Sequence, residues 1–306
     1  MSSARRIAWV LLGAQICFGS LPVAGRIALA HLPADAIVIT RMTAGTIGFY
    51  VWARASGPIR IAPRDWPMIV FCALLGVVGN QLLFMHGLVR STATNAAVLG
   101  STIPVFTAIF ALAFGRETLR GARVAGIGVA MCGAVVLALA RGDGPSLGSE
   151  HLIGNLMILG NSACYGLYLV VVRPLALRYS PIVLIAALFL VGTILVAPMG
   201  VIAWHDAPPL GTDDYESLAF LILVPTWGAY SLTQLALRHA ESSLVASWIY
   251  LQPVVTATGA MIFLGERPGV ATAIAAAFIF SGVWLSTRTK PSRDGARDVS
   301  ETAART

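Results

Sequence analysis

Long apolar segments recur along almost the whole chain, separated by short polar turns. A helix needs about 20 apolar residues to cross the roughly 30 Å hydrocarbon core of a bilayer, and ten segments approach that length. Five lie on each side of a polar stretch near residues 141–152. The pattern predicts an all-α polytopic membrane protein with ten transmembrane helices. The predicted ranges are 7–25, 35–53, 66–88, 94–114, 121–140, 153–172, 181–204, 216–237, 243–264 and 269–287.

The composition agrees with a membrane protein and argues against a soluble one. Apolar residues make up 57% of the chain and charged residues 11%, whereas a soluble domain carries roughly 25% charged residues. The net charge of +7 could indicate nucleic-acid binding, but the basic residues lie between apolar segments and form no basic cluster with interleaved aromatics. We therefore expect the chain to reside in a lipid bilayer and to bind no nucleic acid.

The distribution of lysine and arginine predicts the orientation in the membrane. If the N-terminus is cytoplasmic, sixteen of the 21 basic residues fall on the cytoplasmic side and four on the outer side, and Arg41 lies within a helix. Basic residues accumulate on the cytoplasmic side of membrane proteins. This asymmetry predicts that both termini lie in the cytoplasm, and we expect the protein to reside in the plasma (inner) membrane.

The five-helix unit occurs twice in the sequence. The pattern Gly-x3-Cys-aromatic-Gly-x6-Arg begins at Gly13 and recurs at Gly160, 147 residues later, and the spacing becomes 149 at Glu117 and Glu266. Because five is odd, the second copy is expected to cross the membrane in the opposite direction. Two inverted halves that rock about a site at the midplane provide alternating access. The predicted organisation is a first repeat at 1–140, a linker at 141–152, a second repeat at 153–287 and a disordered cytoplasmic tail at 288–306.

Several motifs resemble the EamA repeat of the drug/metabolite transporter superfamily. They are FGRETL at residues 114–119 and LGERP at residues 264–268, each followed by a helix rich in small residues, and the aromatic-glycine pairs that end at Gly19 and Gly166. Arg41 stands where the family often carries an arginine in its second helix. The resemblance implies a ten-helix carrier for amino acids, other metabolites or drugs, with a central cavity lined by the first, third and fourth helices of each half.

Polar residues within the predicted spans are the candidates for the transport site. A mid-membrane arginine costs about 2.5–3.5 kcal/mol on insertion scales. Arg41 therefore binds an anionic group in a cavity, extends to the outer headgroups, or bonds backbone carbonyls where two helices meet. Polar and aromatic residues at helical spacing suit a site for a small amphipathic solute, although they could equally form hydrogen bonds between helices. The candidate substrate-binding residues are Gln15, Arg41, Asn80, Gln81, Asn161, Tyr165, Tyr168, Trp227, Tyr230, Gln234, Trp248 and Gln252.

Two further pairs of residues occupy equivalent positions in the repeats. Pro104 and Pro253 fall in mid-helix, where proline removes a backbone hydrogen bond and kinks the helix, so they are candidate hinges or static kinks. Glu117 and Glu266 are expected to cap the turn into the next helix, because acidic residues favour helix N-termini.

These features predict a secondary transporter that moves a small metabolite by alternating access, with efflux favoured over uptake. The solute would be amino-acid-like, another small amphipathic molecule, or a drug. The alternative is an integral membrane enzyme acting on a lipid-linked substrate, but the acidic residues are scattered over the loops, and no Walker, HExxH or GxSxG motif occurs. We therefore expect no enzymatic activity, no cofactor and no metal, while a homodimer is compatible with the sequence.

Overall fold

A computed structural model describes residues 3–115, 121–139, 148–237 and 248–287, and these residues form helices joined by short turns, with no strand among them. Glu117, residues 141–147 of the predicted linker and the tail from residue 288 lie outside the described residues. The helices group into ten spans, five in each half of the chain. Six spans are long and apolar enough to cross a membrane, and the fifth and tenth contain shorter apolar helices.

The first half contains both continuous and interrupted spans. The interruptions fall in the first span at Ser20, in the third at a π-helical segment and in the fourth at Ser101 and Thr102. The helices are, in order, Ser3–Gly19 and Leu21–Ala28; Ala34–Ser56; Trp66–Ala73, the π-helical Leu74–Gly79 and Asn80–Arg90; Ala93–Gly100 and Ile103–Ala113; and Gly121–Leu139.

The second half follows the same plan. Its sixth span begins at Gly148, five residues before the predicted start at 153. A short helix, Arg173–Arg178, follows that span on the way to the seventh. The helices are Gly148–Val171; Pro181–His205; Thr212–Leu221, the π-helical Ile222–Gly228 and Ala229–Leu237; the 3-10 helix Trp248–Leu251 with Gln252–Phe263; and Val270–Thr287.

The interruptions of the third and fourth spans recur at equivalent positions in the eighth and ninth, whereas the counterpart of Ser20, Leu167, lies within the continuous helix Gly148–Val171. Both π-helical segments end at a glycine, Gly79 in the third span and Gly228 in the eighth, and these two glycines are 149 residues apart. Pro104 and Pro253 each lie in the first turn of the helix that follows a break. Proline is well tolerated there because the first turn leaves its N–H groups unbonded. The prolines therefore begin new helices instead of kinking continuous ones, and their role as hinges stays a prediction.

The contacts between the two halves are made in reciprocal pairs. A Cβ atom added to Gly19 would lie 2.8 Å from Cβ of Val255, and one added to Gly166 would lie 2.8 Å from Cβ of Phe106. Each residue of the first contact has its repeat equivalent in the second. Reciprocal contacts of this kind are the signature of a two-fold axis, so the two halves are related by an approximate two-fold axis.

A hydrogen bond between equivalent threonines locates this axis. The hydroxyls of Thr46 and Thr193, which are 147 residues apart, lie 2.8 Å from each other. A residue can contact its own repeat equivalent only near the axis. Because both threonines fall near the middle of their helices, Ala34–Ser56 and Pro181–His205, the axis passes close to the middle of the bundle.

The second and seventh spans run antiparallel across the axis. On one side of it, Ile39 packs where a Cβ atom on Gly200 would stand. On the other side, the rings of Phe49 and Phe189 meet edge to face at 5.1 Å. Residue numbers therefore rise along one helix as they fall along the other, and the two five-span halves are inverted with respect to each other.

The turn between the ninth and tenth spans is bonded to the opposite half. One carboxylate oxygen of Glu266 accepts a hydrogen bond from the backbone N–H of Ala93 at 2.7 Å, and the other accepts from the N–H and the hydroxyl of Thr94 at 3.0 and 2.7 Å. Glu266 thus caps the N-terminus of the fourth span and not, as expected, the helix that follows it in sequence. Its carboxylate replaces the backbone acceptors that a helix N-terminus lacks.

The loop between the second and third spans is also joined to the other half. Asp65 accepts hydrogen bonds from the guanidinium of Arg178 at 2.9 Å and from the hydroxyl of Tyr179 at 2.5 Å. Asp65 and Glu266 lie at opposite ends of the bundle, because one precedes the third span and the other reaches the start of the fourth. Polar contacts therefore join the two halves at both ends.

Candidate functional site

Arg41 is buried in the middle of the helix bundle. Its side chain is 2% exposed, and its Nε atom donates a hydrogen bond to the hydroxyl oxygen of Thr226 in the eighth span at 3.1 Å. Among the described residues, no other group accepts a hydrogen bond from this guanidinium. The side chain therefore does not extend to the outer headgroups, and the four N–H groups on its Nη atoms have no acceptor within the described ranges. A buried guanidinium whose Nη atoms lack an acceptor favours a carboxylate or phosphate partner.

An aromatic cluster stands beside Arg41. The Tyr230 ring contacts Phe18, Phe49 and Phe189 edge to face, with centroid distances of 5.3, 5.9 and 5.4 Å. The Tyr230 hydroxyl is within electrostatic range of the Arg41 guanidinium. The cluster combines side chains of four spans, which come from both halves of the chain. Edge-to-face ring pairs are favourable beyond the area that they bury, so the cluster gives the site a firm apolar wall.

Two tyrosines of the sixth span complete the polar part of the site. The rings of Tyr165 and Tyr168 lie 5.4 Å apart, and both hydroxyls are within electrostatic range of Tyr230. Tyr168 packs over Gly76, where an added Cβ atom would come within 2.5 Å of the ring. All three tyrosines are half-buried, and no described residue hydrogen-bonds to their hydroxyls. Three hydroxyls, together with the Nη atoms of Arg41, thus lie near one another without a hydrogen-bond partner in the described part of the chain.

Other predicted residues satisfy one another. The side-chain amide of Gln252 donates to the side-chain oxygen of Gln15 at 2.7 Å, linking the first and ninth spans. Asn161 donates from its side chain to the backbone carbonyl of Asn80 at 2.6 Å, linking the sixth and third. These bonds join the two halves near the centre. They agree with the alternative interpretation that polar residues of the spans form hydrogen bonds between helices.

The remaining predicted residues differ in their surroundings. Gln81, the repeat equivalent of Tyr230, is buried, and its side-chain oxygen has no hydrogen-bond partner among the described residues. Trp227 donates from its indole N–H to the carbonyl of Ala44 at 3.0 Å. Trp248 packs against a small apolar cluster of the first and eighth spans, while the side chain of Gln234 lies outside what the structure describes. Trp227 and Trp248 thus contact neighbouring spans.

Sequence reasoning located the polar residues of this site better than its apolar ones. Arg41, Tyr165, Tyr168 and Tyr230 come together as predicted candidates. The partner of Arg41, Thr226, and the rings of Phe49 and Phe189 were missed because such residues are ordinary in membrane helices. One signal was present in the sequence, since a threonine directly after a proline within a span stands next to a backbone carbonyl that has lost its N–H donor.

The arrangement suits recognition of a small molecule. Within the described part of the chain, no group of three or more His, Cys, Asp or Glu residues could hold a metal ion. The unbonded donors offer an anion-binding head group, and the surrounding rings offer an apolar wall. Sites with a few placed polar groups in aromatic surroundings bind small amphipathic molecules.

Proteins of known or assigned function resemble this chain over most of its length. A probable terminal-alkyne amino-acid exporter of Streptantibioticus cattleyicolor is 27% identical over 92% of this chain and 93% of its own. The aromatic amino acid exporter YddG of Ancylobacter novellus is 23% identical over 81% of this chain and 85% of its own. A solved crystal structure that is 20% identical superimposes with a TM-score of 0.63, over 92% of this chain and 97% of that one, and so shares the fold.

The family assignment covers both halves of the chain. The EamA-like transporter family matches residues 5–139 and, separately, residues 152–288. The two matches correspond to the two inverted five-span halves, and the family and its named members are transporters and not enzymes. This chain is therefore a multi-pass membrane transporter that belongs to the EamA-like transporter family.

Proposed function

We propose that this protein exports a small amphipathic metabolite carrying a carboxylate, most simply an amino-acid-like solute, by alternating access. One observation carries the proposal: Arg41 is 2% exposed, makes one hydrogen bond, and leaves its Nη atoms without a partner in the described part of the chain. A buried charge with unsatisfied donors costs free energy. A carboxylate on the solute would supply the missing acceptor and partly neutralise the charge.

The hydrophobic part of the solute would lie against the rings around Tyr230, and the tyrosine hydroxyls would bond its polar groups. The exporters among the relatives support efflux and an amino-acid-like solute. The excess of basic residues on one side supports a plasma membrane location with both termini in the cytoplasm. The inverted halves, joined by the threonine pair at the axis, support rocking about a central site.

A flux assay with matched variants tests the proposal. The purified protein is reconstituted into liposomes, and efflux of labelled L-phenylalanine and L-leucine is compared with efflux of the corresponding amides, which lack the carboxylate. We expect the acids to be moved faster than the amides, and Arg41→Ala to reduce acid flux at least about tenfold, as loss of one charge-assisted contact implies. Arg54→Ala removes an exposed arginine from the same helix and should leave the flux unchanged.

Two results would overturn this function. One is flux of both acids no faster than in protein-free liposomes. The other is equal flux by the Arg41→Ala and Arg54→Ala variants, which would show that the buried guanidinium does not act on the solute.

A further inference from the structure

Thr226 bonds in two directions within the eighth span. Its hydroxyl donates to the backbone carbonyl of Leu221 at 2.8 Å and accepts from Nε of Arg41 at 3.1 Å, and the residue is fully buried. A hydroxyl has one proton to donate. Because that proton is used on the Leu221 carbonyl, the oxygen presents its lone pairs to Arg41. The direction of both hydrogen bonds is therefore fixed.

The backbone around Thr226 makes this arrangement possible. In an α-helix the Leu221 carbonyl would accept from the N–H of the residue four positions later, which is Pro225 and has no N–H. The chain passes through the π-helical segment Ile222–Gly228 at this point, and π-helical turns occur frequently at functional sites. In such a turn the Leu221 carbonyl faces the N–H five positions later, which is that of Thr226, and the hydroxyl of the same residue donates to it as well.

Thr226 also decides which edge of the Arg41 guanidinium stays available. A guanidinium can bind a carboxylate in two ways, along the edge formed by Nε and one Nη atom or along the edge formed by the two Nη atoms. The bond to Thr226 occupies Nε. The end-on edge, with both Nη atoms, therefore remains for the two oxygens of a carboxylate.

The other half of the chain serves as an internal control. The repeat equivalents of Arg41, Thr226 and Leu221 are Leu188, Val77 and Cys72, which are apolar and buried. The π-helical segment Leu74–Gly79 nevertheless forms around Val77. A valine at this position is therefore compatible with a π-helical turn, in a segment where Gly76 stands in place of Pro225.

We propose that Thr226 is a positioning residue that holds the Arg41 guanidinium with its two Nη atoms toward the carboxylate of the transported solute. The inference rests on the proposed function and adds to it a residue that does not itself contact the solute. It implies a solute that presents two coplanar oxygens to the guanidinium. An amide, which has one acceptor oxygen, gains little from the fixed orientation.

The test compares Thr226→Val with Thr226→Ser in the reconstituted protein. We expect Thr226→Val to raise the half-saturating concentration of L-phenylalanine about tenfold, as loss of one hydrogen bond to a charged group implies, with that of phenylalanine amide unchanged. Thr226→Ser keeps the hydroxyl and should restore most of the preference for the acid. Thr193→Val, which removes a half-buried threonine hydroxyl at the two-fold axis, should leave the ratio of acid to amide unchanged.

The outcomes separate this inference from the function on which it rests. If the wild-type protein shows no preference for the acid, the proposed function fails and the inference fails with it. If the preference requires Arg41 but persists in Thr226→Val, the inference alone is overturned. Equal losses for acid and amide, or equal effects of valine and serine, would reduce Thr226 to a packing role and overturn the inference as well.

Discussion

Replacement of Glu266 by glutamine should weaken the joint between the two halves. Glutamine keeps the shape of the side chain but has one acceptor oxygen. Its amide NH2 group must therefore face the backbone N–H of either Ala93 or Thr94, which now bond to separate carboxylate oxygens. One N–H is left without an acceptor, at a cost of about 1–3 kcal/mol. The lost charge at a helix N-terminus adds roughly 0.3–1 kcal/mol.

The sum is about 2 kcal/mol, taken from the lower half of these ranges because Glu266 is half-buried. In a protein of this size it corresponds to a fall in Tm of about 3 °C. The assay is thermal unfolding in detergent, with Glu216→Gln as the control because Glu216 is exposed. Thr94→Val removes only the hydroxyl that donates to Glu266 and leaves both N–H groups in place, so most of the Glu266→Gln effect should persist in the double variant.

The interpretation of Glu266 as a cap on the opposite half would be refuted by either of two results. In the first, Glu266→Gln unfolds at the same temperature as Glu216→Gln. In the second, its effect disappears when Thr94 is already valine, which would show that Glu266 acts through the Thr94 hydroxyl and not by capping the helix.

Two further predictions concern helix packing and topology. Gly282→Ala should destabilise the protein by about 1–3 kcal/mol, because a Cβ atom there would lie 2.3 Å from the backbone nitrogen of Ala130. The control, Gly128→Ala, adds a Cβ atom in open space and should be neutral or stabilising. Equal thermal shifts for the two variants would contradict the close approach of the fifth and tenth spans. In a background without the four native cysteines, Asp206→Cys should react with an impermeant maleimide added to intact cells and Ser56→Cys only after lysis. The reverse pattern would invert the orientation.

The sequence predicted the two-copy organisation because the same motif recurs at a regular spacing. Gly13 and Gly160 begin the same motif, and the odd number of spans between them requires the copies to be inverted. The helix interruptions were harder to predict. No proline marks the π-helical segment in the third span, and the break at Ser20 falls within an apolar run that is otherwise continuous.

The candidate site was predictable only in part, for a related reason. Arg41 and the tyrosines stand out because polar groups are costly in an apolar span. Gln15 and Gln252 stand out equally, yet they bond to each other, while the Nη atoms of Arg41 have no described partner. Polarity identifies residues that need a partner, but it does not identify the partner.

The sequence by itself determined which segments lie in the membrane and that the chain is an inverted duplication. Both follow from local composition and from spacing, since each span must be apolar whatever its neighbours are. Only the tertiary structure decided that Glu266 caps the fourth span, that Thr46 meets Thr193, and that Thr226 holds Arg41. Such partners lie in opposite halves and depend on how helices rotate and slide against one another, and that register arises only when both halves pack together.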